Sequence, residues 1–224
     1  MFDDIYILIP VFNESEKIGN VISELKKYFK NIIVVNDGSS DNSLEILKKY
    51  EIKTLSHSHN LGQGAAISTG LRYIKSKKNA YAAITFDADG QHQTEDAINF
   101  AKEIISSKVE IIFGSRFLKH ERNIPFLKRK VLKIVNFFTR KFSKINLTDS
   151  HNGLKAIKVS IIDKLNFKSN RFAFESEIIH LISKQNIAYK ELPTNTLYTS
   201  YSKKKGQKLS NGLLILEDLF KSGR

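Results

Sequence analysis

The chain has 224 residues, enough for one large domain, and its 41% hydrophobic and 26% charged residues are ordinary globular usage, which argues against disorder. It has no cysteine, which excludes a disulfide scaffold, a thiolate nucleophile and any cysteine-ligated zinc or iron–sulfur site. The net charge of +13, from 36 Lys and Arg against 23 Asp and Glu, points to an anionic partner: nucleic acid, a membrane surface or a phosphorylated ligand. A lysine-rich solvated surface explains the same total. The start, MFDDIYILIP, has two acids before a five-residue apolar run and is not a secretory signal. No stretch approaches the roughly 20 apolar residues that span a bilayer, so a soluble or peripheral protein is expected.

The first half alternates strand and helix signals. Ile5–Ile9 is an apolar run ended by Pro10, the pattern of a buried parallel strand. Ser15–Phe29 carries Ile18, Ile22, Leu25 and Phe29 on one helical face. Ile32–Val35 is the next strand, and Leu44, Leu47 and Tyr50 mark a helix after a polar turn. Lys53–Ser56 is a weak strand, and Gly64–Lys75 a helix through Ala66, Ile67, Leu71 and Ile74. Ala82–Phe86 is a strand, Thr94 is the expected cap of a helix carrying Ile98, Ala101 and Ile105, and Glu110–Phe113 is another strand. This alternation predicts a parallel sheet covered on both faces, with ligands at the carboxyl ends of the strands.

After Gly114 the pattern changes. From Lys119 to Lys144 nine bases face the single acid Glu121, and Phe126–Ser143 reads as a basic amphipathic helix. Such a helix suits either an anionic membrane surface or a core-facing position. Asp149–Ala156 is a turn-rich polar segment, Phe172–Ser183 a helix and Tyr189–Leu192 a strand. The tail holds Tyr198, Tyr201, a lysine run at Lys203, Lys204, Lys205 and Lys208, and a final helix from about Ser210 to Phe220. One domain, 1–224, is expected, with a nucleotide-binding half (1–115) and an acceptor half (116–224).

Three polar clusters follow strands directly. Pro10-Val11-Phe12-Asn13-Glu14 can simply stop the strand, with Asn13 capping the next helix and Glu16 in its first turn. Asn36-Asp37-Gly38-Ser39-Ser40-Asp41 is a turn in which the Asp37 carboxylate could also accept hydrogen bonds from a nucleobase edge. Phe86-Asp87-Ala88-Asp89-Gly90-Gln91-His92 places two carboxylates two residues apart at a strand end. Hard oxygen ligands of this kind suit Mg²⁺ or Mn²⁺, which can neutralise a diphosphate leaving group. All three turns end strands of one inferred sheet, so they should meet along one edge. Between them, Asn60-Leu61-Gly62-Gln63-Gly64-Ala65-Ala66 offers small residues for close approach of backbone to a ligand, or merely a tight loop into a helix.

These residues resemble the family 2 glycosyltransferases of the GT-A fold, and among them the dolichyl-phosphate mannose synthase and polyprenyl-phosphate glycosyltransferase group. The matching elements are IPVFNE (9–14), NDGSSDNS (36–43), NLGQGAA (60–66), FDADGQH (86–92), GSR (114–116) and, more loosely, DSHNGLKA (149–156) and RFAFESE (171–177). They cover most of residues 5–180, in the family's order. The resemblance implies an α/β GT-A domain that uses a UDP- or GDP-sugar with Mg²⁺ or Mn²⁺. Pro10, Phe12, Glu14 and Asp37 would hold the nucleotide, with Gly62 and Gly64 lining its pocket. Asp87, Asp89 and Gln91 would bind metal and diphosphate. Arg116 and Arg129 would bind an acceptor phosphate. Asn36 stands where many relatives have a further Asp, and the transmembrane helices that lipid-phosphate enzymes often append are absent.

Family members of this type invert the anomeric centre by direct displacement. A phosphate acceptor is already anionic and needs cations, which Arg116, Arg122 and Arg129 supply; a hydroxyl acceptor needs a general base. Glu175 or Glu177 could be that base, or part of a solvated face or ion pair. The expected activity is inverting transfer to a polyprenyl phosphate, at the cytoplasmic face of an anionic membrane, with room for a separate membrane protein as partner. The alternative is extension of a lipid-linked or cell-surface glycan at a sugar hydroxyl. Nucleic-acid binding would leave the acidic strand ends unexplained and is not expected. A nucleotidyltransferase would release pyrophosphate instead of a nucleoside diphosphate.

Overall fold

In the computed structural model, residues 2–118, 124, 126–143, 145–167, 169 and 173–197 are described. The apolar runs of the first half become strands β1 (Ile5–Val11), β2 (Asn31–Asn36), β3 (Lys53–Ser56), β4 (Ala82–Thr85) and β5 (Ile111–Ser115). Between them lie helices α1 (Ile18–Lys26), α2 (Ser43–Lys48), α3 (Gln63–Lys75) and α4 (Thr94–Ser106). The second half adds α5 (Phe126–Ser143), β6 (Lys155–Lys158), a 3₁₀ segment (Val159–Leu165), α6 (Ala173–Lys184) and β7 (Tyr189–Pro193). One seven-stranded sheet results, in the order β3-β2-β1-β4-β6-β5-β7. Only β6 runs against its neighbours; every other pairing is parallel. This is the GT-A type α/β architecture.

The pleat explains how both faces are filled. Ile5, Ile7 and Ile9 of β1 point to one side, where they join Ile18, Ile22 and Leu25 of α1 and Ile98, Phe100 and Ile104 of α4. Tyr6 and Leu8 point to the other, against Ile67, Leu71 and Ile74 of α3 and Phe174, Ile178 and Ile182 of α6. A strand buried on both faces must be apolar throughout, which is why β1 reads as a continuous run.

Two local expectations need correction. Asn13 does not cap α1, which starts at Ile18 with Lys17 before it and no side-chain cap. Its backbone is left-handed (φ 55°), and its Oδ1 instead accepts hydrogen bonds from the N–H groups of Ser40 and Asp41, at 2.8 and 3.3 Å. Thr94 is the first helical residue of α4 and not its cap; Gln93 holds the cap position, without a side-chain bond. The turn-rich segment 149–156 leads into β6, which Lys155 and Ala156 open. The expected tail helix, Tyr198, Tyr201 and the lysine run lie outside the described residues, as do Lys119 and Arg122.

Candidate active site

Strands β2, β1 and β4 are adjacent and parallel, so their polar C-terminal turns converge on one edge. The turns are tied to one another as well as to the strands. The Glu14 N–H donates to Ser43 Oγ (2.8 Å), the Ser15 N–H to Asp41 Oδ2 (3.0 Å) and the Asn13 N–H to Ser39 Oγ (3.0 Å). Burial pushes the Asp41 carboxyl up, but hydrogen bonds from Ser43 and Ser15 outweigh it and hold its pKa at about 2.

Asp37 anchors the next loop. Its Oδ1 faces His57 Nδ1 at 2.7 Å and accepts the Leu61 N–H at 3.0 Å, while Oδ2 accepts the Gly62 N–H at 2.8 Å. Gly62 takes φ 104°, a conformation that side-chain-bearing residues rarely adopt, which brings its N–H to the carboxylate. The other ring nitrogen of His57 meets Thr69 Oγ1 on α3 at 3.0 Å. Asp37 thus sets the shape of the glycine loop before any ligand arrives.

The turns surround a cavity of about 590 Å³. Of the residues singled out by sequence, Pro10, Phe12, Glu14, Asp37, Gly62, Asp87, Asp89, Gln91 and Arg116 line it. Gly64 does not; it is buried in the first turn of α3, and Gln63 takes the wall position. Arg129 is exposed on the first turn of α5, three residues before Leu132, which lines the cavity. Glu175 lies behind the wall, 6% exposed, with its carboxylate on Lys155 Nζ at 2.6–2.8 Å. Glu177 accepts the Ser169 N–H at 2.8 Å. Gln63, His92, His151, Asn152, Gly153 and Thr196 also line the cavity and had no role assigned from sequence. Four of them sit inside segments already marked there, FDADGQH and DSHNGLKA; Gln63 falls within NLGQGAA.

The acidic pair is strongly organised. Asp87 Oδ2 meets His92 Nε2 at 2.9 Å and Oδ1 accepts from Gln63 Nε2 at 3.3 Å. Burial pushes the Asp87 carboxyl up, but His92, Lys155 and Arg116 bring it below the usual range. Asp89 goes the other way, raised by burial and by the negative charge of Asp87. Gln91 holds Asp89 with both its backbone N–H and its side-chain amide. Among the described residues no group of three or more His, Cys, Asp or Glu is placed to hold a metal ion by itself. Two carboxylates on one cavity wall, one of them destabilised by the other's charge, nevertheless fit a hard divalent cation. Mg²⁺ in particular is bound by one or two carboxylates and completed by substrate phosphates.

A buried cation, Arg116, lines the same cavity. Arg116 Nε and Nη2 donate to Asp149 Oδ2 and Oδ1 at 2.6 and 2.8 Å, and Nη2 also donates to the His151 carbonyl at 3.0 Å. Burial raises the Asp149 carboxyl, but the guanidinium charge and its hydrogen bonds bring it below the usual range. Burial lowers the His151 imidazole to about 4, so it is neutral at physiological pH.

Comparison with known proteins agrees with this geometry. The family model described as Glycosyl transferase family 2 matches residues 6–165. An uncharacterized protein of Methanocaldococcus jannaschii is 37% identical over 219 residues, covering 96% of this chain and 90% of that one. UDP-N-acetylglucosamine–dolichyl-phosphate N-acetylglucosaminyltransferase of Methanococcus voltae is 32% identical over 233 residues, covering 94% of this chain and 92% of that one. Glucosyl-3-phosphoglycerate synthase from Mycobacterium tuberculosis, solved with Mn²⁺, UDP and phosphoglyceric acid, superposes with a TM-score of 0.75. That superposition covers 99% of this chain and 78% of the other at 11% identity, a likeness of fold. With the model matching more than two thirds of its length and its motifs gathered around one cavity, the chain belongs to glycosyl transferase family 2.

Proposed function

We propose that this chain is an inverting glycosyltransferase that moves a sugar from a nucleotide-diphosphate sugar onto a polyprenyl phosphate. The observation that carries the reading is the layout of the cavity. Asp87, Asp89 and a buried arginine, Arg116, line the same cavity, and the two candidate base residues, Glu175 and Glu177, are not among the lining residues. A phosphate acceptor is anionic and needs no base, only cations to hold it; a hydroxyl acceptor would need one. The M. voltae relative supports an isoprenoid phosphate as acceptor and favours UDP over GDP as the nucleotide. Solved neighbours holding Mn²⁺ or Mg²⁺ with UDP support a divalent cation.

In this reading each residue has a defined task. Asp37 and the Gly62 loop seat the nucleoside, with Pro10, Phe12 and Glu14 lining the same cavity. Asp87 and Asp89 would hold the cation, which supplies charge neutralisation to the departing diphosphate. Arg116 and Arg129 hold the acceptor phosphate. One of its oxygens forms a bond to the anomeric carbon as the bond to the diphosphate oxygen breaks on the opposite side, so the centre inverts. Helix α5 presents Phe126, Ile134 and Phe137 to the outside beside Arg129, Lys130 and Lys133, which suits contact with an anionic membrane at its cytoplasmic face. Among the described residues no helix is long and apolar enough to cross a membrane.

The test is a panel of UDP- and GDP-sugars with Mn²⁺ or Mg²⁺, with polyprenyl phosphate or a free glycan as acceptor. Release of nucleoside diphosphate and formation of a glycosyl phosphate lipid are expected. Transfer only to a sugar hydroxyl, lost in Glu175→Gln or Glu177→Gln and retained in Arg129→Ala, would give the glycan-extending reading instead.

A further inference from the structure

Lys155 and Glu175 form an ion pair in the interior, 2% and 6% exposed. Burying two charges is costly even when they are paired, and an apolar pair of similar volume often stabilises a fold as well or better. Stability alone therefore gives no reason for this pair. Its remaining contact does. Lys155 Nζ also donates to the Asn152 carbonyl at 2.6 Å. That carbonyl begins the Asn152–Gly153 turn, which leads into β6.

The turn is fastened on three further points. Thr85 Oγ1, at the end of β4, donates to the Gly153 carbonyl at 2.6 Å and accepts the Lys155 N–H at 3.1 Å. Asn152 Nδ2 donates to Thr194 Oγ1 at 3.0 Å. What the turn touches is Asp87. A Cβ built on Gly153 would lie 2.2–2.6 Å from the Asp87 carboxylate atoms, closer than real Cβ atoms come. The bare glycine backbone is therefore the floor on which that carboxylate rests, while Gln63 and His92 hold its two oxygens from the sides.

From these contacts we infer that the Lys155–Glu175 pair positions Asp87 for the divalent cation. The inference rests on the reading of Asp87 as a cation ligand. The pair fixes the Asn152 carbonyl, the carbonyl fixes the turn, and the turn fixes the carboxylate. Neither Lys155 nor Glu175 lines the cavity, so both are positioning residues and not catalytic ones. Outer partners of metal ligands commonly change metal affinity by about 10–100-fold when removed.

The experiment uses the full chain and measures thermal unfolding together with calorimetric binding of UDP and of Mn²⁺·UDP. Lys155→Met should lower the melting temperature, because Glu175 is left buried and unpaired. Lys155→Met/Glu175→Leu should recover the melting temperature. Both should bind Mn²⁺·UDP about tenfold or more weakly than wild type, with metal-free UDP affinity unchanged. Gly153→Ala, with the ion pair intact, should show the same selective loss. A double variant that melts and binds Mn²⁺·UDP like wild type overturns the inference. So does Gly153→Ala at wild-type affinity, which decides the matter if the double variant does not fold. Glu175→Gln that binds Mn²⁺·UDP normally yet has no turnover also overturns it and makes Glu175 a base. If wild type binds Mn²⁺·UDP no better than UDP alone, the cation reading of Asp87 falls and this inference with it; wild-type enhancement with unaltered variants removes this inference alone.

Discussion

Arg116 grips Asp149 through two parallel N–H···O bonds, 2.6 and 2.8 Å long, in the interior of the protein. The residue proposed to hold the acceptor phosphate is thus itself held. Such a fork fixes the guanidinium plane, and a fixed cation costs less to orient at the moment of reaction. It also makes Arg116 structural. Removing one partner of a buried pair typically destabilises by about 3–5 kcal/mol, because the other charge is left alone. Arg116→Ala should therefore lower unfolding free energy by about that amount in urea titrations. A loss under about 1 kcal/mol would mean that the pair is not desolvated as described.

The same pair sets an acid limit. Asp149 has a folded pKa below its unfolded value of about 3.9, so its contribution to stability is fully present above that value and is lost as pH falls through the folded pKa. Wild-type stability should decline on acidification below about pH 4, and Asp149→Asn should be less stable at neutral pH with a shallower decline over that range. Urea unfolding at a series of pH values reads both. Parallel profiles would show that Asp149 does not carry the acid sensitivity.

Metal dependence should be steep at Asp89. Asp89→Ala is expected to cut transfer by at least about two orders of magnitude, the scale of losing a positioned charge-stabilising group. Chelation of divalent ions should do the same to wild type. Full activity under EDTA, or in the variant, removes the cation from the mechanism.

Nucleotide binding should depend on Asp37 even without metal. Its carboxylate receives Leu61, Gly62 and His57, so Asp37→Ala loosens the glycine loop as well as any contact to the base. Hydrogen bonds to charged groups are worth about 1.5–3 kcal/mol, and metal-free UDP affinity should fall accordingly. His57→Ala should weaken it in the same direction by less. Unchanged calorimetric affinity in Asp37→Ala would place the nucleotide elsewhere.

Membrane contact should run through α5. Phe126 and Phe137 are 72% and 62% exposed. Burying one such ring is worth about 1.5–3 kcal/mol, so Phe137→Asp should reduce partition onto anionic vesicles about tenfold or more. Salt at about 1 M shortens the screening length to about 3 Å and should release the wild-type protein. Vesicle binding that ignores both changes excludes α5 as the contact.

Much of this arrangement could be read from residues alone. Strands with continuous apolar runs, such as β1 and β2, declare themselves because both their faces are buried, and the edge at which Asp37 and Asp87 meet follows from parallel order. Strand β6 did not declare itself. Its first residue is a lysine, and Lys155 reads as exposed unless its partner, twenty residues on and on another element, is already known. Asn13 misled for a similar reason: it has the side chain of a helix cap, but the groups it satisfies belong to Ser40 and Asp41, across the sheet edge. Pairings distant in sequence leave no local period behind them.

The place of β6 governs the order in which the molecule can be made. Strands β3, β2, β1 and β4 are neighbours, so that side of the sheet can close as soon as Thr85 has left the ribosome. β5 is bracketed by β6 and β7, both of which come later in the chain, and it has no hydrogen-bonded neighbour until Lys155–Lys158 has been synthesised. The outward side of β4 waits for the same four residues. A chain cut at Ser115 would leave the outward edge of β4 and both edges of β5 unpaired, each a template for aggregation. Synthesis therefore completes the side of the sheet that carries Asp37 before it adds the turn beneath Asp87, in the step that joins the two sides of the sheet.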